Sequence, residues 1–338
     1  MTPPTFKNIC IYGAGALGGA IATKLAVHLG DRATVSVVAR GAHLDSIRRD
    51  GIRLFEAGSD QPITCKLTAT ADPGELPAQD LIITGLKGHQ LSAAAQGIAG
   101  LTKEGTRVMM ILNGIPWWYF HRDEKSGFAE RQFPELDPDG KLWRLVGPER
   151  VIGCVAQQGA EVAKPGEIRL SNKGRFLLGE PSGEISADLE AIVALISDSG
   201  ITATATSLIR DEIWSKLMGN AAFNPISALT GARMNDIMAD PSLAALVAKV
   251  MQEVKAVGQS LGTTFEISID DRIAQSRKIG PVRTSMLQDL LAGKPLELVP
   301  LVGMVVALGQ LTKVPVPATE TVFALAAQRD RENFRSQQ

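Results

Sequence analysis

Asn8-Ile-Cys-Ile-Tyr-Gly-Ala-Gly-Ala-Leu-Gly-Gly19 decides the fold. Residues 8–12 read as a short apolar strand that runs straight into Gly13. Beyond the glycines, Ile21, Leu25 and Leu29 recur at helical spacing over residues 20–29. Strand, glycine-rich turn and helix in that order make a dinucleotide cradle, with the G-x-G-x-x-G glycines at 13, 15 and 18. Gly13 permits the tight turn, Gly15 lets backbone approach a pyrophosphate, and Gly18 lets the helix pack close. The helix N-terminus adds unpaired N–H groups and a partial positive charge. Gly13, Ala14, Gly15, Ala16, Leu17 and Gly18 are therefore the expected phosphate-facing residues.

The next strand, residues 34–39, ends at Arg40, where NAD-specific folds carry an acid for the ribose 2′-hydroxyl. A cation there suits a 2′-phosphate, so NADP(H) is the expected cofactor, with His43 a nearby but incidental helper. Residues 81–84 and 108–112 read as buried strands followed by Lys87, His89, Gln90 and Asn113. Ligands gather outside the carboxyl ends of such strands, so Lys87, Gln90 and Asn113 are candidates to border a nicotinamide. His89 is expected at the surface. Residues 117–148 form an excursion whose aromatic run, Trp117-Trp-Tyr-Phe120, reads as local packing. Short strands with hairpin-type connections are expected at 151–155, 166–170 and 175–178, then a helix at 187–197 and a strand at 201–205.

A formal net charge of −1 over 338 residues offers no broad positive field, so nucleic acid is not an expected partner. Cys10, Cys65 and Cys154 are odd in number and widely spaced, which suggests neither a disulfide framework nor a metal site. No metal is expected, and a reducing compartment is. Met1-Thr-Pro-Pro-Thr-Phe-Lys7 lacks an apolar signal core, and no apolar run nears the ~18 residues of a membrane span. A cytoplasmic location without membrane contact follows. Association as a homodimer stays open.

After Ser207 the pattern turns helical, with segments at 208–223, 241–261, 270–275, 283–292, 296–311 and 318–329. Two domains are expected: residues 1–206 binding NADP and 207–338 forming an all-helical substrate and catalytic domain. In the first of these helices Lys216, Asn220 and Asn224 recur every four residues and share one stripe. Ile213, Leu217 and Phe223 fall on or beside it, while Ser215, Gly219 and Ala222 hold the opposite side. A lysine and two amides on an apolar face need partners, so the stripe reads as a polar seam with Lys216 placed to give or take a proton.

Five segments now occur in order: Gly13-x-Gly15-x-x-Gly18, Leu86-Lys87-x-x-Gln90, Asn113-Gly114, Glu212-x-Trp214-x-Lys216-x-x-x-Asn220-x-x-x-Asn224-Pro225 and Ser285-Met-Leu-Gln-Asp289, with Glu297 eight positions on. Together they resemble the ketopantoate reductase family over nearly the whole chain. The resemblance implies a Rossmann-type domain followed by a helical one. It implies NADPH-dependent reduction of 2-dehydropantoate (ketopantoate) to pantoate, toward pantothenate and coenzyme A. It also implies roles. Lys216 would be the general acid, and Glu297 the carboxylate that engages the substrate hydroxyl and orders the site beside the cofactor. Asn113, Asn220, Asn224 and Ser285 would bind substrate, Asn113 and Lys87 would lie near the nicotinamide, and Arg40 would meet the 2′-phosphate.

The chain departs from the family's pattern around the acyl pocket. Leu298-Val299-Pro300 follows Glu297 where an acid is usual, and Val282-Arg283-Thr284 precedes the serine segment where an Asn is common. Asn235 stands one residue off the position of another substrate-facing Asn. Arg283 is a candidate carboxylate clamp in place of the missing amide. The alternatives are a reductase of another branched or hydroxylated 2-oxo acid and a noncatalytic NADP-binding sensor. The second predicts cofactor binding without turnover.

Overall fold

The computed structural model describes residues 6–335. The stretch Met1–Thr5, part of the segment read for a signal core, lies outside them. The chain forms two compact units. One runs to Leu112 and adds Trp117–Arg122 and Glu130–Ile209; the other takes Asn113–Pro116, Asp123–Ala129 and the chain from Arg210 onward.

The first unit contains strands β1 (Asn8–Tyr12), β2 (Thr34–Val38), β3 (Ile52–Phe55), β4 (Pro62–Cys65), β5 (Thr68–Thr70), β6 (Leu81–Thr84), β7 (Arg107–Ile111), β8 (Val151–Ala156), β9 (Ala160–Lys164), β10 (Glu167–Leu170), β11 (Arg175–Gly179) and β12 (Thr202–Ala205). Its helices are α1 (Ala16–Leu29), α2 (Gly41–Asp50), α3 (Gly88–Gly100) and α4 (Ala187–Asp198). Eight strands make the main sheet in the order β12-β11-β8-β7-β6-β1-β2-β5, parallel except where β8 meets β11. Ile9–Tyr12, Leu81–Thr84 and Val108–Ile111 are buried throughout, as parallel strands covered on both faces must be.

A second sheet, β4-β3-β10-β9, packs against α1, which also touches β1 and β2 of the main sheet. Gly19 makes that double contact possible, since a Cβ there would lie 2.2 Å from Ile168 Cδ1. This sheet corrects the hairpin expectation for 151–178. β8 and β11 pair antiparallel within the main sheet, with Leu178 opposite Cys154, whereas β10 leaves to pair with β3 and β9. β9 was not foreseen because Ala160-Glu-Val-Ala-Lys164 is exposed along most of its length and shows no apolar alternation.

The aromatic run is packed away, with Trp117, Trp118, Tyr119 and Phe120 all buried. Trp117 meets Trp143 edge-on at 6.0 Å, and its Nε1 donates to Met110 Sδ at 3.2 Å.

The second unit contains α5 (Ile209–Thr230), α6 (Met234–Ala239), α7 (Pro241–Ser260), α8 (Ile269–Arg277), α9 (Ser285–Leu291), α10 (Met304–Thr312) and α11 (Pro317–Arg335), α5 beginning one residue before it. One expectation needs correction, the end of α5. α5 does not stop at 223 but continues through Pro225, whose missing N–H removes the bond to Ala221 O. Burial of Ile213, Trp214, Leu217, Met218, Phe223 and Ile226 outweighs that loss. The helix expected at 296–311 forms over residues 298–312, its stretch Val299–Gly303 wound as a π-helix that continues into α10. α7 packs against α6, α8, α10 and α11. Its buried Glu253 accepts from Thr319 N and Thr319 Oγ1, both at 2.8 Å, and so caps the start of α11. No helix among the described residues is long and apolar enough to cross a membrane.

Candidate active site

In the first unit the glycine turn has the shape its sequence asks for. Gly13 adopts φ +99°, and its N–H donates to Val38 O at 3.0 Å. A Cβ at Gly18 would lie 2.1 Å from Gly13 O, so helix and turn touch backbone to backbone. Gly15 differs: a Cβ there would meet only Gly85 O, at 3.7 Å. Nothing in the protein demands a glycine at 15, and the open side suits the approach of a phosphate. α1 begins at Ala16 with no acid in its first turn, which leaves its positive end uncompensated. The residues therefore fit a dinucleotide.

Arg40 is exposed and stands as N-cap of α2, directly after β2. Burial pushes the Tyr12 hydroxyl up, and the nearby positive charge of Arg40 partly offsets that. Cation and helix N-terminus coincide here, as an anionic 2′-substituent needs. His43 is not incidental. Gly166 N donates to its Nδ1 at 3.0 Å, so Nε2 carries the proton and meets Ala14 O at 2.7 Å. The ring braces the glycine turn against the β9–β10 connection. Nothing in the sequence pattern around His43 signals this, because the partner lies 123 residues away.

Lys87 is N-cap of α3, and its Nζ is buried. Gln90, a candidate for the nicotinamide border, is used locally, since its Oε1 accepts from Lys87 N at 3.0 Å and caps α3. His89 is exposed, as expected.

In the second unit Lys216 Nζ donates to Asn113 Oδ1 at 2.7 Å. Asn113 is two residues past the end of β7, yet it packs with the helical unit. Gly114 explains how it is held. Its φ is +81°, a Cβ there would lie 2.2 Å from Pro300 O, and the next amide, Ile115 N, donates to the same oxygen at 2.9 Å. Pro300 belongs to the π-helical stretch three residues beyond Glu297, which is buried at 9% exposure. Asn113, Lys216 and the chain following Glu297 thus share one frame. Sequence reasoning missed Pro300; the Asn113-Gly114 pair was its only trace.

Asn220 is half-buried and Asn224 buried on α5, one and two turns from Lys216. Ser285, by contrast, is exposed as the first residue of α9. Asn235 turns its Nδ2 to Asp236 Oδ1 at 2.8 Å. Among the described residues no group of three or more His, Cys, Asp or Glu side chains is poised to hold a metal.

Residues 9–183 match the family model described as ketopantoate reductase PanE/ApbA, and residues 208–330 match its C-terminal counterpart. The chain is 44% identical over 318 residues to a 2-dehydropantoate 2-reductase of Mesorhizobium japonicum (strain LMG 29417 / CECT 9101 / MAFF 303099), spanning 94% of this chain and 96% of that protein. Among solved structures, a Ralstonia solanacearum MolK2 protein assigned to the ketopantoate reductases superposes with TM-score 0.90 at 37% identity, over 97% and 98% of the two chains. The 2-dehydropantoate 2-reductase from Geobacter metallireducens GS-15 gives TM-score 0.81 at 27% identity, over 95% and 99%.

Proposed function

The chain belongs to the ketopantoate reductase family, and from that premise we infer that it reduces 2-dehydropantoate to pantoate, as a step toward pantothenate. The bound nicotinamide dinucleotide supplies the hydride. The protein's own contribution is charge and position. Hydride arrival at the 2-oxo carbon leaves negative charge on oxygen, and the Lys216 ammonium stabilises that charge and then protonates it. Asn113 accepts a hydrogen bond from the ammonium and so helps to orient it. Asn220 and Asn224 continue the donor stripe along α5 toward the substrate's polar groups, with Ser285 as a further substrate contact. Glu297 takes the substrate hydroxyl. The glycine turn from Gly13 to Gly18, Lys87 and Arg40 bind the cofactor, Arg40 selecting NADPH through the 2′-phosphate.

The single observation behind this reading is the bond from Lys216 to Asn113, which turns two separate sequence signals into one proton-donating arrangement. The test is the loss of NADPH absorbance with ketopantoate as substrate, repeated across a panel of branched and hydroxylated 2-oxo acids. Turnover of ketopantoate with a kcat/KM above the rest of the panel is expected. A higher value for another acid would reassign the substrate, and the departures at Leu298-Val299-Pro300 and Val282-Arg283-Thr284 are the reason to run the panel. No turnover of any oxo acid, with cofactor still bound, would favour the sensor. The three cysteines without a framework support a cytoplasmic location, and the net charge of −1 argues against a nucleic-acid partner.

A further inference from the structure

Gly219 lies inside α5, three residues past Lys216 and one before Asn220. It is not among the glycines with positive φ, so its backbone does not require glycine. A neighbour does. A Cβ at 219 would lie 2.8 Å from Arg272 Nη2, 3.2 Å from its Nε and 3.4 Å from its Cζ. The guanidinium of α8 therefore rests on the bare backbone of α5. Glycine is unfavourable inside a helix, and close approach of this arginine is what position 219 provides in return. Three residues at about 100° each place Gly219 about 60° around α5 from Lys216, so the cation covers the flank of the polar stripe and not the side opposite it, where periodicity had set Gly219.

Arg272 is half-buried, and burial pulls its guanidinium below the ordinary range. Among the described residues that guanidinium has neither a hydrogen-bond acceptor nor an ion-pair partner. The nearest acids in sequence do not neutralise it: Asp270 and Asp271 are exposed, and Asp271 Oδ2 accepts from Ser268 Oγ at 2.6 Å. A half-buried fork of five donors without an acceptor is costly by itself and favourable against a planar anion. Residues three apart on a helix are neighbours, about 5–6 Å between Cβ atoms, so this fork stands beside the root of Lys216. In a 2-oxo acid the carboxylate and ketone oxygens sit on adjacent carbons and call for two donor groups that close together.

We propose that Arg272 binds the carboxylate of the 2-oxo acid while Lys216 takes the ketone oxygen, an inference that rests on the oxo-acid reductase reading above. Arg283, the clamp suggested by the sequence, is exposed.

Arg272→Gln, Arg272→Lys and Gly219→Ala are compared with the wild type in two assays. The first is steady-state reduction of ketopantoate and of its uncharged lactone at saturating NADPH. The second is calorimetric titration of ketopantoate into the NADP-bound protein. Arg272→Gln raises KM and Kd for the acid by about tenfold or more, with kcat within about threefold and the lactone KM unchanged. Arg272→Lys falls between, because it keeps the charge and loses the fork. Gly219→Ala follows Arg272→Gln, because its methyl group displaces the guanidinium. Acid constants within about twofold of wild type in Arg272→Gln overturn the proposal, as do equal losses for acid and lactone, which mark a packing role. If Arg272→Gln does not fold, the other two variants decide on the same terms.

The two readings fail separately. Arg272-dependent binding without wild-type turnover removes the assigned reaction and keeps the carboxylate site. Normal turnover with binding indifferent to Arg272 does the reverse. Ketopantoate that does not bind the wild type at all overturns both.

Discussion

Lys216 Nζ and Asn113 Oδ1 stand 2.7 Å apart although 103 residues separate them along the chain. Asn113 accepts from the lysine, so it orients the ammonium without neutralising it. Lys216→Ala is expected to lower kcat by about 10²–10⁴ if the amine is the proton donor. Asn113→Ala, which keeps the amine but removes this hydrogen bond, is expected to cost about tenfold. Steady-state kinetics at fixed pH, with cofactor affinity measured alongside, check both. An unchanged kcat in Lys216→Ala would remove the lysine from the chemistry.

Arg40 is exposed at the end of β2 and caps α2. Arg40→Ala should raise the KM for NADPH by about 10–100-fold and leave that for NADH nearly unchanged, because only the former carries the 2′-phosphate. Equal effects on the two cofactors would end its role in selecting between them.

His43 bridges Ala14 O and Gly166 N, and only one tautomer of the neutral ring can do so. His43→Ala should weaken NADPH binding several-fold while kcat at saturating cofactor stays near wild type, since the ring positions the glycine turn and touches nothing that reacts. Fluorescence titration with NADPH checks the affinity, and unchanged binding in His43→Ala would leave the ring a packing role only.

Gly114 combines φ +81° with a Cβ position 2.2 Å from Pro300 O. Gly114→Ala should destabilise the protein by about 1–3 kcal/mol, from backbone strain and the collision together. Since the turn also carries Asn113, kcat should fall with stability. Denaturant unfolding and kinetics on the same preparation test the pair. Full activity in a destabilised variant would show that Asn113 is held some other way.

The local features are legible in the sequence. Gly13, Gly15 and Gly18 between a strand and a helix, and Lys216, Asn220 and Asn224 at four-residue spacing, are patterns written within one or two turns of chain. Both reflect short-range rules: where φ must be positive, and which side chains share a helix face. The second sheet was not legible, because β3 and β10 pair across more than a hundred residues and β9 shows no apolar alternation. Nor was the length of α5, since propensity stops a helix at Pro225 and only burial of its flanks carries it through.

What the sequence determined by itself was the dinucleotide turn, the helical second half and the polar stripe with its lysine. What only tertiary structure decided was which groups those residues meet. Asn113 reaches Lys216 because Gly114 seats on Pro300 O, His43 braces the glycine turn through Gly166, and Arg272 lies on Gly219. The physical reason is common to all three. A helix face or a turn is specified by neighbours in sequence, whereas a hydrogen bond or a close approach across the fold depends on long-range packing that no local spacing encodes.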